Sequence, residues 1–189
     1  VALSGDGGDE LFGGYNRYFW GPTIWNKLSW LPFPARRLAG SAIRSVPSAW
    51  WDNVSGRLPA KTRVARLGDK AHRMGSRLHS VRDADGLYQS LVTEWSDRDA
   101  VVRGSPTLPA NAFARIEADM PVNVQDQQLR MMYKDSLSYL PDDILCKVDR
   151  AAMSVSLETR VPFLDAKVAE LAWRLPMSMK IRGNQGKWA

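Results

Sequence analysis

Cysteine and long apolar runs are what this sequence of 189 residues has least of. Its only cysteine is Cys146, which excludes an internal disulfide and fits a reducing compartment such as the cytoplasm. No apolar run approaches the ~18–20 residues that span a bilayer, which excludes a membrane protein for this stretch. No secretory signal pattern is visible either. We therefore expect a cytoplasmic chain without a membrane partner.

The charge of the chain is a weaker guide to its partners. Lys and Arg number 26 against 20 Asp and Glu, which gives a formal charge of +6. A basic helical module that binds nucleic acid or phosphorylated ligands is compatible with this surplus. Most surplus cations on a helical chain simply face solvent, and no arginine-rich tail is present. We therefore do not expect nucleic acid as a partner.

Helical periodicity dominates the chain. In the segment 60–79, apolar residues recur at spacings of 3, 4, 3 and 4 from Val64 to Leu78, which keeps them on one face of a helix. The other predicted helices include 35–45, 123–139 and 142–153. We expect Pro141 to end one helix and Asp142 to cap the next. Strong β alternation is nearly absent, so the chain should be mostly α.

Both ends of the sequence look cut. Val1-Ala2-Leu3 reads as the end of a β-strand, although typical strands have about five or six residues. The last residues, Gly186 to Ala189, carry neither a helix stop signal nor a polar tail. We expect residues 1–189 to be a single domain, truncated at both ends, whose sheet lies largely upstream.

The most informative segment is SGDGGDELFGGY at residues 4–15. Glycines between a strand and a helix allow backbone N–H groups to converge on an anion. The segment lacks the Gly-Lys-Ser/Thr ending of a Walker loop and carries the carboxylates of Asp6, Asp9 and Glu10 instead. At ~4 Å, one like-charge pair costs about 4 kcal/mol at an effective dielectric constant of 20. The turn therefore indicates Mg²⁺-bridged phosphate or a cationic or ammonia-like substrate. An ordinary surface turn with helix-capping acids stays open as the alternative.

Two further segments combine acids with bases. YLPDDILCKVDRAAM at 139–153 places Asp143 and Lys147 one helical turn apart. Such a surface pair is worth only ~0.2–0.5 kcal/mol. LETRVPFLD at 157–165 ends at Asp165, which is suited to cap a helix. Taken alone, both segments are more simply explained by structural roles.

Together and in this order, the three segments resemble the synthetase domain of glutamine-dependent asparagine synthetases. GNQGKW at 183–188 resembles the lysine-bearing loop of the same family. The match is dense in 1–18 and 125–189. The resemblance implies that this mostly α chain is part of an α/β domain of the ATP-pyrophosphatase type (adenine nucleotide α-hydrolase-like). The parallel sheet of that domain would lie largely upstream.

The resemblance also implies a reaction. ATP adenylates the side-chain carboxylate of aspartate with loss of pyrophosphate, and glutamine-derived ammonia then attacks to give asparagine and AMP. The implied cofactors are ATP and Mg²⁺, and the implied partner is an N-terminal glutaminase domain of the same protein, with a homodimer as one possible assembly. The SGGxDS pyrophosphate loop of the family is not among these residues, so we expect the isolated fragment to be inactive. The alternatives are a related amidotransferase or β-lactam-synthetase-like ligase on another carboxylate, and a basic helical binding module without catalysis.

Four positions match the nucleotide site of the family. The resemblance implies that Ser4, Gly5 and Gly7 contact ATP. It implies that Asp9 ligates Mg²⁺ at the pyrophosphate.

Further positions match catalytic residues of the family. Asp6 takes the place of an acid in the synthetase chemistry, where a general-base role toward the incoming amine is expected. Lys187 resembles the lysine that stabilises negative charge near the scissile phosphate. Asp143, or its neighbour Asp142, together with Lys147 resembles an acid and a base near the substrate.

Overall fold

The computed structural model describes residues 1–57, 59, 63–93, 112–121, 124–183 and 185–188. These residues are mostly helical, as predicted, with one small parallel sheet. The elements are β1 Ala2–Leu3, α1 Gly8–Phe12, α2 Asn16–Leu28, α3 Phe33–Ser45, α4 Ser48–Gly56, α5 Leu67–Ser80, α6 Ala84–Val92, α7 Ala112–Ala118, α8 Gln127–Leu137, α9 Cys146–Met153, β2 Thr159–Arg160, α10 Ala166–Arg174 and α11 Met177–Lys180. Across the described ranges, every helix is too short or too polar to cross a bilayer.

The chain divides into two compact units. One consists of Val1–Thr23 together with Trp95–Ala189, and the other of Ile24–Glu94. The single domain expected over residues 1–189 stays a prediction.

The unit Ile24–Glu94 is built around a close contact between α3 and α5. A Cβ on Gly40 would lie 2.5 Å from the carbonyl oxygen of Gly75, so the two helix backbones approach closely only because both positions lack side chains. The buried Arg36 donates hydrogen bonds to the carbonyl oxygens of Leu31 and Val81, each at 3.1 Å. These bonds satisfy a guanidinium that would be costly to bury alone.

The other unit packs α1, α8 and α10 around an apolar centre that contains Leu11, Met131, Met132 and Ala172. Leu11 belongs to α1, and its burial ties the short helix after β1 to the longer helices of the unit. The glycine-rich turn is thereby attached to a packed core, which fixes where its carboxylates lie.

Two helix boundaries test the local sequence reasoning. The predicted break between two helices is present, but it lies before Pro141, since α8 ends at Leu137; the prediction that Asp142 caps the next helix is wrong. A π-helical turn covers Leu140–Leu145 and continues directly into α9, with Pro141 in its first turn, where proline is tolerated because its missing N–H is not needed. The prediction for Asp165 is confirmed, since its side chain accepts the N–H of Lys167 at 2.9 Å.

Candidate active site

Two of the informative segments meet in the parallel sheet. Ala2 pairs with Thr159, and the N–H of Ser4 donates to the carbonyl oxygen of Arg160 at 2.8 Å. The chain therefore leaves the carboxyl ends of β1 and β2 side by side. This edge is where ligands bind in parallel α/β sheets.

The first turn residues after β1 orient a carboxylate. The hydroxyl of Ser4 donates a hydrogen bond to Asp6 Oδ2 at 2.5 Å, and both residues are half-buried. Gly5 is exposed, and a Cβ there would meet no atom within 4 Å. The backbone at Gly5 is accordingly accessible. Asp6 is held by Ser4, which the resemblance places in contact with ATP.

Gly7 has a structural reason to be glycine. Its φ is +81°, in the left-handed region that favours glycine, and it caps α1. A Cβ at Gly7 would also lie 2.6 Å from Leu164 Cδ2. The segment after β2 therefore packs directly against the turn, and any side chain at Gly7 would separate them.

Asp9 and Lys187 form an ion pair, with 2.8 Å between Oδ1 and Nζ. The side chains are 33% and 53% exposed, so the pair faces solvent in part. The N–H of Lys187 donates to the carbonyl oxygen of Phe12 at 2.9 Å, which docks the C-terminal loop on the end of α1. The structure thus joins two predicted site residues that the sequence reasoning had not placed in contact.

Glu10, the third acid of the turn, is turned away from solvent. It is 1% exposed, and the hydroxyl of Tyr15 donates to its Oε1 at 2.8 Å. Burial raises the pKa of Glu10, and the Tyr15 hydrogen bond partly offsets that increase. Burial and the adjacent carboxylate raise the pKa of Tyr15. Glu10 therefore anchors the turn, and its contact with Tyr15 was not recognised from the sequence.

A second buried carboxylate, Asp135 in α8, was also missed. It is fully buried and accepts hydrogen bonds from the hydroxyl of Tyr18 at 2.5 Å and from Arg17 Nε at 2.9 Å. The Arg17 guanidinium lies 3.9 Å from the centre of the Tyr15 ring. These contacts connect α8 to the residue that holds Glu10. An acid in an amphipathic helix ordinarily faces solvent, so the sequence pattern gave no signal for this arrangement.

Asp143 and Lys147 form the predicted pair one helical turn apart, with 3.5 Å between Oδ2 and Nζ. The side chains are 49% and 64% exposed. Among the residues with described positions, no hydrogen bond or ion pair joins either one to the glycine-rich turn. The local pair is confirmed, while the catalytic roles stay predictions.

The carboxylates near the glycine-rich turn can be compared with the ways in which proteins hold magnesium. No group of three or more His, Cys, Asp or Glu side chains positioned to hold a metal occurs within the described ranges. Mg²⁺ is often held by one or two carboxylates, substrate phosphates and water. Asp9, which is partly exposed beside Lys187, fits that mode.

A glycine-rich turn between a strand and a helix is a common anion-binding site, and a lysine ammonium beside it is suited to stabilise negative charge. The family model of asparagine synthase matches residues 1–189. The chain belongs to the asparagine synthase family, which confirms the resemblance inferred from its motifs.

Individual relatives agree with this family. The chain is 32% identical over 192 residues to putative glutamine-hydrolyzing asparagine synthetases of Mycobacterium bovis and Mycobacterium tuberculosis, covering 100% of this chain and 26% of theirs. It is 28% identical to glutamine-hydrolyzing asparagine synthetase 1 of Bacillus subtilis, covering 100% of this chain and 27% of the relative. The chain thus spans about a quarter of the length of these relatives. No solved structure matches it significantly.

Proposed function

We propose that this chain is the synthetase part of a glutamine-dependent asparagine synthetase, an ATP-dependent carbon–nitrogen ligase. A side-chain carboxylate oxygen of aspartate attacks the α-phosphorus of ATP, and the bond to pyrophosphate breaks. Ammonia from glutamine then attacks the acyl carbon of the aspartyl-adenylate, loses a proton and expels AMP. The family membership and the names of the relatives support this reaction.

The ion pair of Asp9 and Lys187 is the observation that carries the proposal. Adenylation moves negative charge onto the leaving pyrophosphate, so a cation fixed beside the site stabilises the transition state. Lys187 supplies that charge. Its neighbour Asp9 holds the ammonium at a defined position.

Ser4, Gly5 and Gly7 form the proposed nucleotide contact. The exposed backbone at Gly5 offers hydrogen bonds to ATP, and the Ser4 oxygen, whose proton is donated to Asp6, can accept one from the nucleotide. Gly7 shapes the turn that presents them. Asp9 is the residue that would hold Mg²⁺, which when bound with ATP neutralises charge on the phosphates.

Asp6 is the proposed general base. Its carboxylate is oriented by the Ser4 hydroxyl and is suited to take the proton that ammonia loses during attack. We further propose that Asp143 and Lys147 contact the substrate, since both side chains are exposed and their charges match those of an amino acid.

The remaining partners follow from the same proposal. An N-terminal glutaminase domain of the same protein would supply ammonia, and a homodimer is one possible assembly. We place the reaction in the cytoplasm, where ATP is available and a lone cysteine such as Cys146 stays reduced.

The decisive experiment measures pyrophosphate release by the full-length protein with ATP and a panel of carboxylic acids. Each acid is tested with glutamine and with ammonium as nitrogen donors. We expect turnover with aspartate and both donors, and none from residues 1–189 alone. Turnover only with another acid would favour a related amidotransferase or β-lactam-synthetase-like ligase, and no turnover with any acid would contradict the proposed enzyme.

A further inference from the structure

Gly14 lies where the side chains of Asp9 and Lys187 meet. A Cβ built on Gly14 would lie 1.8 Å from Asp9 Oδ1 and 2.5 Å from Lys187 Cε. Both distances are far shorter than any tolerated contact between heavy atoms. Gly14 is not among the residues with positive φ, so a left-handed backbone conformation is not the reason for glycine at this position. Glycine is therefore required here for the space that the ion pair occupies.

Gly186 packs against the backbone of Gly13 and Gly14. A Cβ on Gly186 would lie 1.9 Å from the carbonyl oxygen of Gly13 and 3.1 Å from the Cα of Gly14. Gly186 also lacks a positive φ. Because the obstructing atoms are backbone atoms, a side chain at Gly186 would push the whole C-terminal loop away from α1. The two glycines thus have different roles. Gly14 leaves space for the Asp9 and Lys187 side chains, and Gly186 allows the loop backbone to lie against Gly13.

We propose that Gly14 is a positioning residue of the candidate active site, because its missing side chain leaves the space in which the Asp9 carboxylate and the Lys187 ammonium meet. The consequence for catalysis rests on the proposed function. An alanine at Gly14 displaces two flexible side chains and leaves the backbone in place. The loop stays docked through the hydrogen bond from Lys187 N–H to Phe12, while the ammonium loses its position.

The activity test uses the full-length protein and pyrophosphate release with ATP and aspartate. We expect Gly14→Ala to lower kcat about 100-fold, the scale that a misplacement of about 1 Å can produce. Its melting temperature should stay close to that of the wild type. Gly56→Ala is the control, because a Cβ there meets no atom within 4 Å, and it should keep wild-type activity.

A double-mutant cycle separates positioning from general damage. In a Lys187→Met background, Gly14→Ala should cost at least tenfold less in kcat than in the wild type, because the ion pair is already lost. Gly186→Ala should lower both kcat and the melting temperature. The same loss in both backgrounds, or wild-type kcat in Gly14→Ala, would overturn the inference.

A structural readout keeps this inference separate from the proposed reaction. In a crystal structure of Gly14→Ala, Lys187 Nζ should lie more than 4 Å from Asp9 Oδ1. An unchanged ion pair would refute the positioning role whatever the enzyme turns over. A wild type without pyrophosphate release for any acid would refute the proposed function and leave the crystallographic comparison to decide the role of Gly14.

Discussion

Lys187 Nζ lies 2.8 Å from Asp9 Oδ1, so an ammonium from the C-terminal loop neutralises one of three acids in the turn after β1. Both side chains are partly exposed, and such pairs contribute only about 0–1 kcal/mol to stability. The pair therefore contributes little to the stability of the fold. Changes to it should affect chemistry much more than folding, which makes it the best place to test the candidate site.

Asp9→Asn and Asp9→Ala should abolish pyrophosphate release by the full-length protein. Either change removes the negative charge that fits magnesium binding and that holds Lys187 in position. Their free energy of unfolding should fall by less than about 1 kcal/mol, because the wild-type pair is partly exposed. A coupled pyrophosphate assay and urea denaturation measure the two effects.

Asp69→Ala is the matched control for Asp9, since it also removes a surface acid that pairs with a cation, here Arg66. This variant should retain activity. Full activity in Asp9→Asn would remove Asp9 from the metal role.

Asp135→Ala should destabilise the protein by about 3–5 kcal/mol, because it leaves the Arg17 charge and the Tyr18 hydroxyl without their shared buried acceptor. Asp143→Ala removes the same side chain from an exposed pair and should cost no more than about 0.5 kcal/mol. Chemical denaturation of both variants measures the difference. Equal losses would contradict the burial assigned to Asp135.

Glu10→Gln should change the pH dependence of stability. Burial raises the pKa of Glu10, so the folded state binds a proton more readily than the unfolded state in the pH range just above the ordinary value of 4.5. Stability contributed by the protonated acid is therefore lost as the pH rises through that range. The Glu10→Gln variant has no titrating carboxyl group at this position and so does not lose this stability. The difference in free energy of unfolding, variant minus wild type, should therefore increase from pH 4 to pH 7.

Tyr15→Phe tests the same contact from the donor side. It should destabilise the protein by about 1–3 kcal/mol at pH 7, since a buried carboxylate loses its hydrogen bond. The cost should be smaller at pH 4, where Glu10 is closer to neutral. A wild-type pH profile in Glu10→Gln, with no effect of Tyr15→Phe, would show that Glu10 is solvated.

Lys180→Met should stabilise the protein at neutral pH. Lys180 is fully buried, lies over the Trp173 ring at 5.0 Å, and its Nζ has no hydrogen-bond partner within the described part of the chain. Burial lowers its pKa to about 8 from 10.5. Removing the buried charge should raise the free energy of unfolding at pH 7 by on the order of 1–3 kcal/mol.

The advantage of Lys180→Met should shrink as the pH rises from 8 to 10. In that window the folded protein releases a proton that the unfolded chain still holds, so wild-type stability rises relative to the variant. Urea denaturation at pH 7, 9 and 10 measures the trend, with the exposed Lys167→Met as control. A constant difference between wild type and Lys180→Met would mean that Lys180 does not titrate in this range.

Helix positions could be predicted from the sequence where apolar spacing and helix capping determine them. Apolar spacing predicts a helix over 60–79. Residues 60–62 lie outside the described residues, Val64 precedes the helix, and the prediction is confirmed from Leu67 onward, since the helix covers Leu67–Ser80. Asp165 caps its helix as its position before that helix indicated. Asp142 fails as a cap because it lies inside the π-helical turn, which begins before it and accommodates Pro141 in its first turn.

The sequence by itself determined the family, the mostly helical character and the set of acids and glycines in the turn, because motif identity and periodicity are local properties. Only the tertiary structure decided which of those acids are buried and which are exposed at the candidate site. It buried Glu10 against Tyr15 and paired Asp9 with Lys187. Tyr15 is close to Glu10 in sequence, but the burial of Glu10 requires α8 and α10 to pack on α1, and the partner of Asp9 lies at the other end of the chain. No local pattern encodes such contacts.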